Sequence, residues 1–489
     1  MVDTVLPIAN GFYTSDSLPV SAQNCVNWYP HINEAPALNQ EILFGTPGIG
    51  GEVETGLTGV SRGAASFNGE VYFVIGTTLA KIDTSSVVTS IGTIAGSGKV
   101  SMASNNTQLM LLNTTGDGYI YDRLLDTLEP IIDTDFDANG TPNGLCYVDS
   151  YFVCTTNEGG KFICSAINDG MSWNALDFGT AESSPDSAIY PVVCRNQLFI
   201  VGSLVTEQFS NTPNGATFPF VRSGLFFPKG TSSPFSIVNY GDSFMFIGGG
   251  VGESLAVWAV EGNSIVKKST SAIDSILQAI PADDIASVFS WSYTQGGHTF
   301  VGFGLPDTTI VYDAATERWH ERASRIYSGG VYSTVPSRAA TYTILGNQIL
   351  VTDTIDGRIG FASLSTYTEY DMEIVRTFTT QPFQNNMQPF FVPKLELTVE
   401  SGVGLIEGSA ENAVDPTVRL RISRDGGKTW GESRSRPLGA MGEYNTRAVW
   451  RRNGRCKRFD VYRFTMSDPV KPVCIQLTAQ IEAADDAAA

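Results

Sequence analysis

Three histidines, seven cysteines and one aspartate-centred turn are the residues whose types offer chemistry in this chain of 489 residues. His31, His298 and His320 stand at no spacing suited to a shared metal, since zinc sites draw ligands from short, fixed intervals. His298 follows two glycines and opens an apolar run, and His320 follows Trp319. The two could pair if their strands adjoin, but satisfied structural imidazoles are the expected outcome. Cys25, Cys146, Cys154, Cys164, Cys194, Cys456 and Cys474 include no C-x-x-C pair and are odd in number. Reduced, buried thiols are therefore expected rather than a disulfide framework.

The aspartate-centred turn is Ser423-Arg424-Asp425-Gly426-Gly427-Lys428-Thr429-Trp430. It matches the Asp-box pattern through Ser423, Asp425, Gly427, Thr429 and Trp430, with the carboxylate capping backbone amides and the indole packing beneath. A looser echo is Asn168-Asp169-Gly170-Met171-Ser172-Trp173. Asp-boxes occur in sialidase-type glycosidases, so a carbohydrate-binding or sialidase-like propeller acting at a host surface is the alternative to weigh. Such a site needs an arginine cluster, a Tyr–Glu pair and an acidic Asp, and arginine is scarce between residues 60 and 317. The turn is read as structural. Gly248-Gly249-Gly250-Val251-Gly252 lacks the Lys-Ser/Thr of a phosphate loop, and Asp283 and Asp284 read as solvated or capping groups. No nucleophilic serine, metal set or cofactor is expected, and the chain is not read as an enzyme.

The elements that must position these residues are strands. Charged residues are only 17% of the chain, and glycine is plentiful at 49, which suits short strands and tight turns better than helices. From about residue 60 a two-beat unit recurs: Val71–Gly76 then Leu79–Asp83, Gln108–Asn113 then Gly118–Asp122, Gly144–Val153 then Lys161–Ser165. It returns at Asn196–Gly202, Asp242–Gly248, His298–Phe303 with Thr309–Asp313, and Gln348–Val351. Each copy reads as a buried strand, a turn and a second strand. The spacing, roughly 40 to 60 residues, is the length of a propeller blade. About six blades are expected over residues 58–370, in preference to two successive sandwiches, because closing a ring removes exposed edges. Ser269 to Ile280 places Ile273, Ile276, Leu277 and Ile280 at helical spacing, and Pro281 to Asp284 reads as the start of a further short helix.

The flanks differ. Residues 1–57 are rich in Pro, Asn and Tyr with little periodicity and read as an N-terminal extended arm. Residues 371–482 alternate apolar and charged residues, as in Lys394–Glu400, Thr417–Ser423 and Arg458–Phe464, and read as a β-sandwich-like docking domain. Its candidate docking face is the basic cluster Arg447, Arg451, Arg452, Arg455, Lys457 and Arg458. Residues 483–489 read as a disordered acidic tail.

The net charge of −19 falls almost wholly before residue 370. So acidic a surface does not grip phosphates; it suits a wall past which DNA slides without sticking. No apolar run approaches membrane-spanning length, and no basic leader opens the chain, so assembly in a cytoplasm is expected.

Four stretches in order carry a resemblance. They are Thr46-Pro47-Gly48-Ile49 followed by Gly59-Val60-Ser61-Arg62-Gly63; Gly96 to Ala103; Gly297-His298-Thr299-Phe300 through Leu305-Pro306 and Thr309–Asp313 to Trp319-His320-Glu321-Arg322; and Val449 to Arg455. Together the chain resembles the packaged-DNA stabilisation or tail-hub (nozzle) proteins of short-tailed bacteriophages, from about residue 20 to 482. The resemblance implies a propeller and a homohexameric ring below the portal and its adaptor. Such a ring would hold packaged DNA without reading its sequence, form its exit channel, and dock tailspikes or fibres and a tail needle or plug. It implies location in the virion tail. It supplies no catalytic residues, and the Trp319 segment is read as blade closure.

Overall fold

Five of the repeats bury their opening strand, which is the second strand of its blade, in the same way. Glu70–Ile75, Gln108–Asn113, Tyr151–Thr156, Gln197–Gly202 and Ser243–Gly248 each have a partly covered first residue followed by five buried ones. A strand with a neighbouring sheet on both faces must be apolar at consecutive positions rather than at alternate ones. The repeats are therefore stacked sheets, and the computed structural model, which describes residues 2–212, 218–406 and 411–484, arranges them in a ring.

Six blades are built from four consecutive antiparallel strands each, spanning residues 61–93, 100–130, 142–180, 188–227, 238–267 and 289–328. A further, composite sheet completes the circle. Its strands Ala339–Leu345, Gln348–Asp353 and Ile359–Ser363 take Gly48–Val53 as the fourth, antiparallel to Ile359–Ser363. The first strand of this sheet packs against the first strand of blade one. The expected count of about six corresponds to the blades that are contiguous in sequence. The composite blade locks the ring by joining residues some three hundred positions apart, which leaves no open inner edge.

The first strand of each sheet lies innermost, and none of these seven strands carries an Asp or Glu. The acidic charge of the propeller therefore sits on its outer strands and loops.

The segment expected as an extended arm is woven into three sheets. Besides Gly48–Val53 in the composite blade, Val2–Leu6, Trp28–Ile32 and Glu41–Gly45 join a seven-stranded sheet with Phe390–Val399, Ala448–Arg451, Arg455–Cys456 and Val473–Ala483. Cys25–Val26 lies between blade six and Arg376–Thr379 in the opposing sheet, which continues through Phe459–Met466, Thr417–Ser423 and Arg434–Pro437. These two sheets form the C-terminal β-sandwich. The last strand ends at Ala483, the first residue of the expected tail; residues 485–489 lie outside the described residues.

One apolar core crosses from sandwich to propeller. Trp450, Phe464 and Phe378 continue through Trp28 and Leu43 to Phe303 and Trp319 of blade six. The helix Ser271–Gln278, capped by Thr270, buries Ile273 and Leu277 in the same core, and a 3₁₀ turn follows at Ala282–Ser287. Gly302 shows how closely blade six is fitted: it faces Trp291 across the strand pair, and a Cβ there would lie 2.2 Å from the indole.

Candidate functional site

The fold brings all three histidines to one place. His298 begins the second strand of blade six, Asp313 ends the third, and their side chains meet with Nδ1 2.7 Å from Oδ2. Asp313 is fully buried and also accepts bonds from the Ala315 amide and the Thr316 hydroxyl. On its other side His298 Nε2 lies 2.8 Å from Nδ1 of His31, on the N-terminal strand Trp28–Ile32. With His298 Nδ1–H donated to the carboxylate, Nε2 of the neutral ring accepts, and His31 donates. His320 stands edge-on to Phe300, which stacks on His298. Burial, then the neighbouring Arg322, hold the His320 pKa well below the ordinary imidazole value; burial and His298 lower that of His31.

An Asp–His relay ordinarily prepares a nucleophile. Here the relay ends on a second imidazole, and among the described residues neither ring is hydrogen-bonded to a Ser, Thr or Cys. Its physical effect is to tie the N-terminal strand to blade six. Arg322 reinforces the joint. Its buried guanidinium lies 5.0 to 5.2 Å from the ring centres of Trp291, Tyr293 and Phe300 and donates to the Tyr342 hydroxyl of the composite blade. Desolvated cation–aromatic contacts of this kind stand in for a carboxylate partner.

Trp319 lies next to His320, on the opposite face of the same strand. Its indole donates to the Lys268 carbonyl, and its own carbonyl accepts from the Phe12 amide. Beside it, Arg318 pairs with Glu41 and donates to the Ala9 carbonyl. The segment therefore fastens blade six to the N-terminal strands.

The Asp425 turn lies between Thr417–Ser423 and Arg434–Pro437, in the sandwich rather than the propeller. Asp425 accepts from the Ser423 hydroxyl and from the amide and hydroxyl of Thr429, while the Gly427 amide donates to Ser423 Oγ. These bonds hold the Asp425 carboxyl far below the usual range. Gly426 and Gly427 both adopt positive φ, a conformation glycine takes without strain. The turn presents Trp430, on which Arg463 stacks at 3.8 Å.

The basic cluster lies along Ala448–Arg451, Arg455–Cys456 and the connecting loops, with Arg447, Arg451, Arg452, Arg455, Lys457 and Arg458 all exposed. Arg447 is held by a bidentate pair with Glu396. Behind the cluster, Arg424 pairs with the buried Asp460 and braces the loop through the carbonyls of Arg455 and Asn453.

The four arginines between residues 60 and 317 do not converge. Arg62 donates to four backbone carbonyls, Arg195 to the Gly262 carbonyl and Arg222 pairs with Glu207, while Arg123 sits beyond the third strand of blade two. Gly59–Gly63 carries the letters of a nucleophile elbow, which sequence reasoning passed over, yet Ser61 begins a strand and its hydroxyl donates to Thr352. That placement lacks the strand-to-helix turn such a nucleophile needs. Among the described residues no group of three or more His, Cys, Asp or Glu is placed to hold a metal ion. No helix among them is long and apolar enough to cross a membrane. All seven cysteines are buried free thiols, and burial raises the pKa of Cys25, Cys146 and Cys154.

A closed ring of sheets, a sandwich locked to it by buried aromatic and ionic joints, and charged outer surfaces define a structural propeller–sandwich protein. The chain belongs to the bacteriophage P22 Gp10 family: the β-propeller model of that family matches residues 4–367, and its β-sandwich model matches residues 375–482. A curated relative, the tail hub protein gp10 of Salmonella phage P22, is 25% identical over 421 residues, covering 82% of this chain and 84% of the relative. Among solved structures, the WD40 β-propeller domain of Doa1 aligns with 64% of this chain and 97% of its own at 12% identity, with a TM-score of 0.38.

Proposed function

We propose that this chain is the tail hub of a short-tailed phage, a structural component of the virion tail assembled in the host cytoplasm. The observation that carries the reading is the family match, which spans propeller and sandwich in order and covers nearly the whole chain. In this reading six copies form a ring below the portal and adaptor, retain packaged DNA, form its exit channel, and dock tailspikes or fibres and a plug. The chain divides functionally near residue 370, with the propeller as the ring-forming body and the sandwich as the docking unit.

Electrostatics supports that division. Beyond residue 370 there are 16 Lys and Arg against 15 Asp and Glu, so the propeller half carries the whole acidic excess. DNA passing between copies meets negative outer surfaces and does not adhere. The exposed cluster from Arg447 to Arg458 offers a face for a partner of opposite charge. Many shallow contacts repeated round a ring add avidity without any one being strong.

The test is to mix the purified chain with portal–adaptor complexes and image them by negative stain. Rings added below the adaptor are expected. Adaptors that stay bare at saturating protein would sink the proposal.

A further inference from the structure

The junction of blade six with the sandwich holds a concave site that the basic cluster does not include. On the outer face of the sheet, Arg419 and Arg421 stand two residues apart on one strand, opposite Thr465 and Arg463 on the next. The hairpin formed by Arg318–Ser328 and Val331–Pro336 supplies Arg325 and Thr334 to a wall, closing a cavity of about 430 Å³.

Four arginines line this cavity and no Asp or Glu does. Arg325 is paired with Glu373, just outside it. Arg419 donates to Ser467 Oγ at 2.6 Å, and Arg463 rests on Trp430. Asp468 acts on Arg419 through its charge, while among the described residues neither Arg421 nor Arg463 forms an ion pair with a carboxylate. Arg421 and Arg463 are direct cross-strand neighbours, a like-charge arrangement that destabilises a sheet; burial and Arg421 together lower the pKa of Arg463. In a chain with a net charge of −19, the adjacent Arg421 and Arg463 carry a standing electrostatic cost that an external anion removes. Asn24 gives a second, independent sign. It lines the same cavity, and its amide oxygen is buried without a hydrogen-bond partner; as an acceptor it calls for a donor, which a backbone N–H of a bound peptide supplies and a carboxylate does not.

The lining also states what kind of anion fits. Val26, Ala323 and Val375 give it an apolar floor, and serine and threonine hydroxyls give it a polar rim. A lone inorganic ion leaves most of that floor uncovered. A nucleic-acid backbone cannot enter a hollow of this size without laying further phosphates on the acidic propeller. Carboxylates on short aliphatic stems reach in, and the arginine fork matches them bidentately.

We propose that this cavity binds the carboxylates of an acidic segment of a partner protein, with Arg421 and Arg463 as the principal ligands and the Asp425 turn, through Trp430, positioning Arg463. The proposal rests on the tail-hub reading only in taking the partner to be a protein.

The probe is a fluorescein-labelled octaglutamate, titrated by anisotropy against the full chain at low ionic strength. Saturable binding is expected, weakened at least tenfold in Arg421→Gln/Arg463→Gln and unchanged in Lys471→Gln, whose side chain pairs with Glu400 away from the cavity. The double variant should melt no lower than the parent, because a like-charge pair has been relieved; the exposed Arg421→Gln alone repeats the test with less disturbance. The idea is overturned if the parent shows no binding, if the Arg variants bind as well as the parent, or if an oligonucleotide of equal charge binds more tightly than the peptide. Adaptor assembly is scored separately by microscopy, so a blank titration beside intact assembly removes the pocket and leaves the tail-hub reading standing.

Discussion

His31 Nδ1 lies 2.8 Å from His298 Nε2 although 267 residues separate them in the chain. With Asp313 on the far side of His298, the three side chains form a line of hydrogen bonds from the interior of blade six to the N-terminal strand of the sandwich. The joint is therefore hydrogen-bonded and directional as well as apolar, which fixes register as well as proximity.

Removing the middle of that line should cost most. His298→Ala leaves the Asp313 carboxylate buried with only the Ala315 amide and Thr316 hydroxyl, and a loss of about 3 kcal/mol is expected. Asp313→Asn, which still accepts from Nδ1, should cost about 1 kcal/mol. Urea denaturation of the purified variants gives the comparison; equal losses for both would show that the carboxylate is not the anchor.

Stability should be lost on mild acidification. The native fold holds His31 and His320 below the ordinary imidazole value of 6.5, through burial and neighbouring positive charge. The unfolded chain then binds more protons than the native one, so this contribution is present above about pH 6.5 and declines as pH falls below it. Glu369 works in the other direction. Burial pushes its pKa up to about 7, so its contribution is present below the ordinary 4.5 and is lost as pH rises through 7. Melting temperatures from pH 5 to 8 should show His31→Gln flattening the acid side and Glu369→Gln flattening the neutral side. Unchanged profiles in both variants would refute the assignment.

Ring closure depends on Ile49, which is buried among Ala339, Val351, Ala362 and Tyr370 of the composite blade. Ile49→Ala should destabilise by about 2–4 kcal/mol. Hydrogen exchange should speed up first in Ile359–Ser363, its pairing partner, while Glu70–Ile75 of blade one stays protected. Uniform loss of protection would mean that the ring opens as one unit.

Trp319 couples blade six to the N-terminal strands through Lys268 and Phe12. Trp319→Ala should cost about 3–5 kcal/mol, and limited proteolysis should then cut between residues 7 and 24 before it cuts the blades. A variant as resistant as the parent would show that the sandwich sheets alone retain that segment.

Much of this was legible in the residues. Short apolar runs announced the buried strands that open each repeat, the Ile273–Leu277 spacing announced the helix, and Asp425 with its glycines announced the turn. The alternation Val418-Arg419-Leu420-Arg421 also placed two arginines on one face. That Arg463 would stand opposite them could not be read, because it follows from the register between two strands some forty residues apart.

Local order along this chain comes from side-chain periodicity and backbone freedom, which act between residues a few positions apart, so the strands, blade repeats and turns were set by sequence alone. The composite blade, the meeting of three histidines and the arginine hollow each join segments tens to hundreds of residues apart. Only the folding of the sheets against one another decided these, because strand pairing and packing choose partners by the surface they bury and not by their distance along the chain.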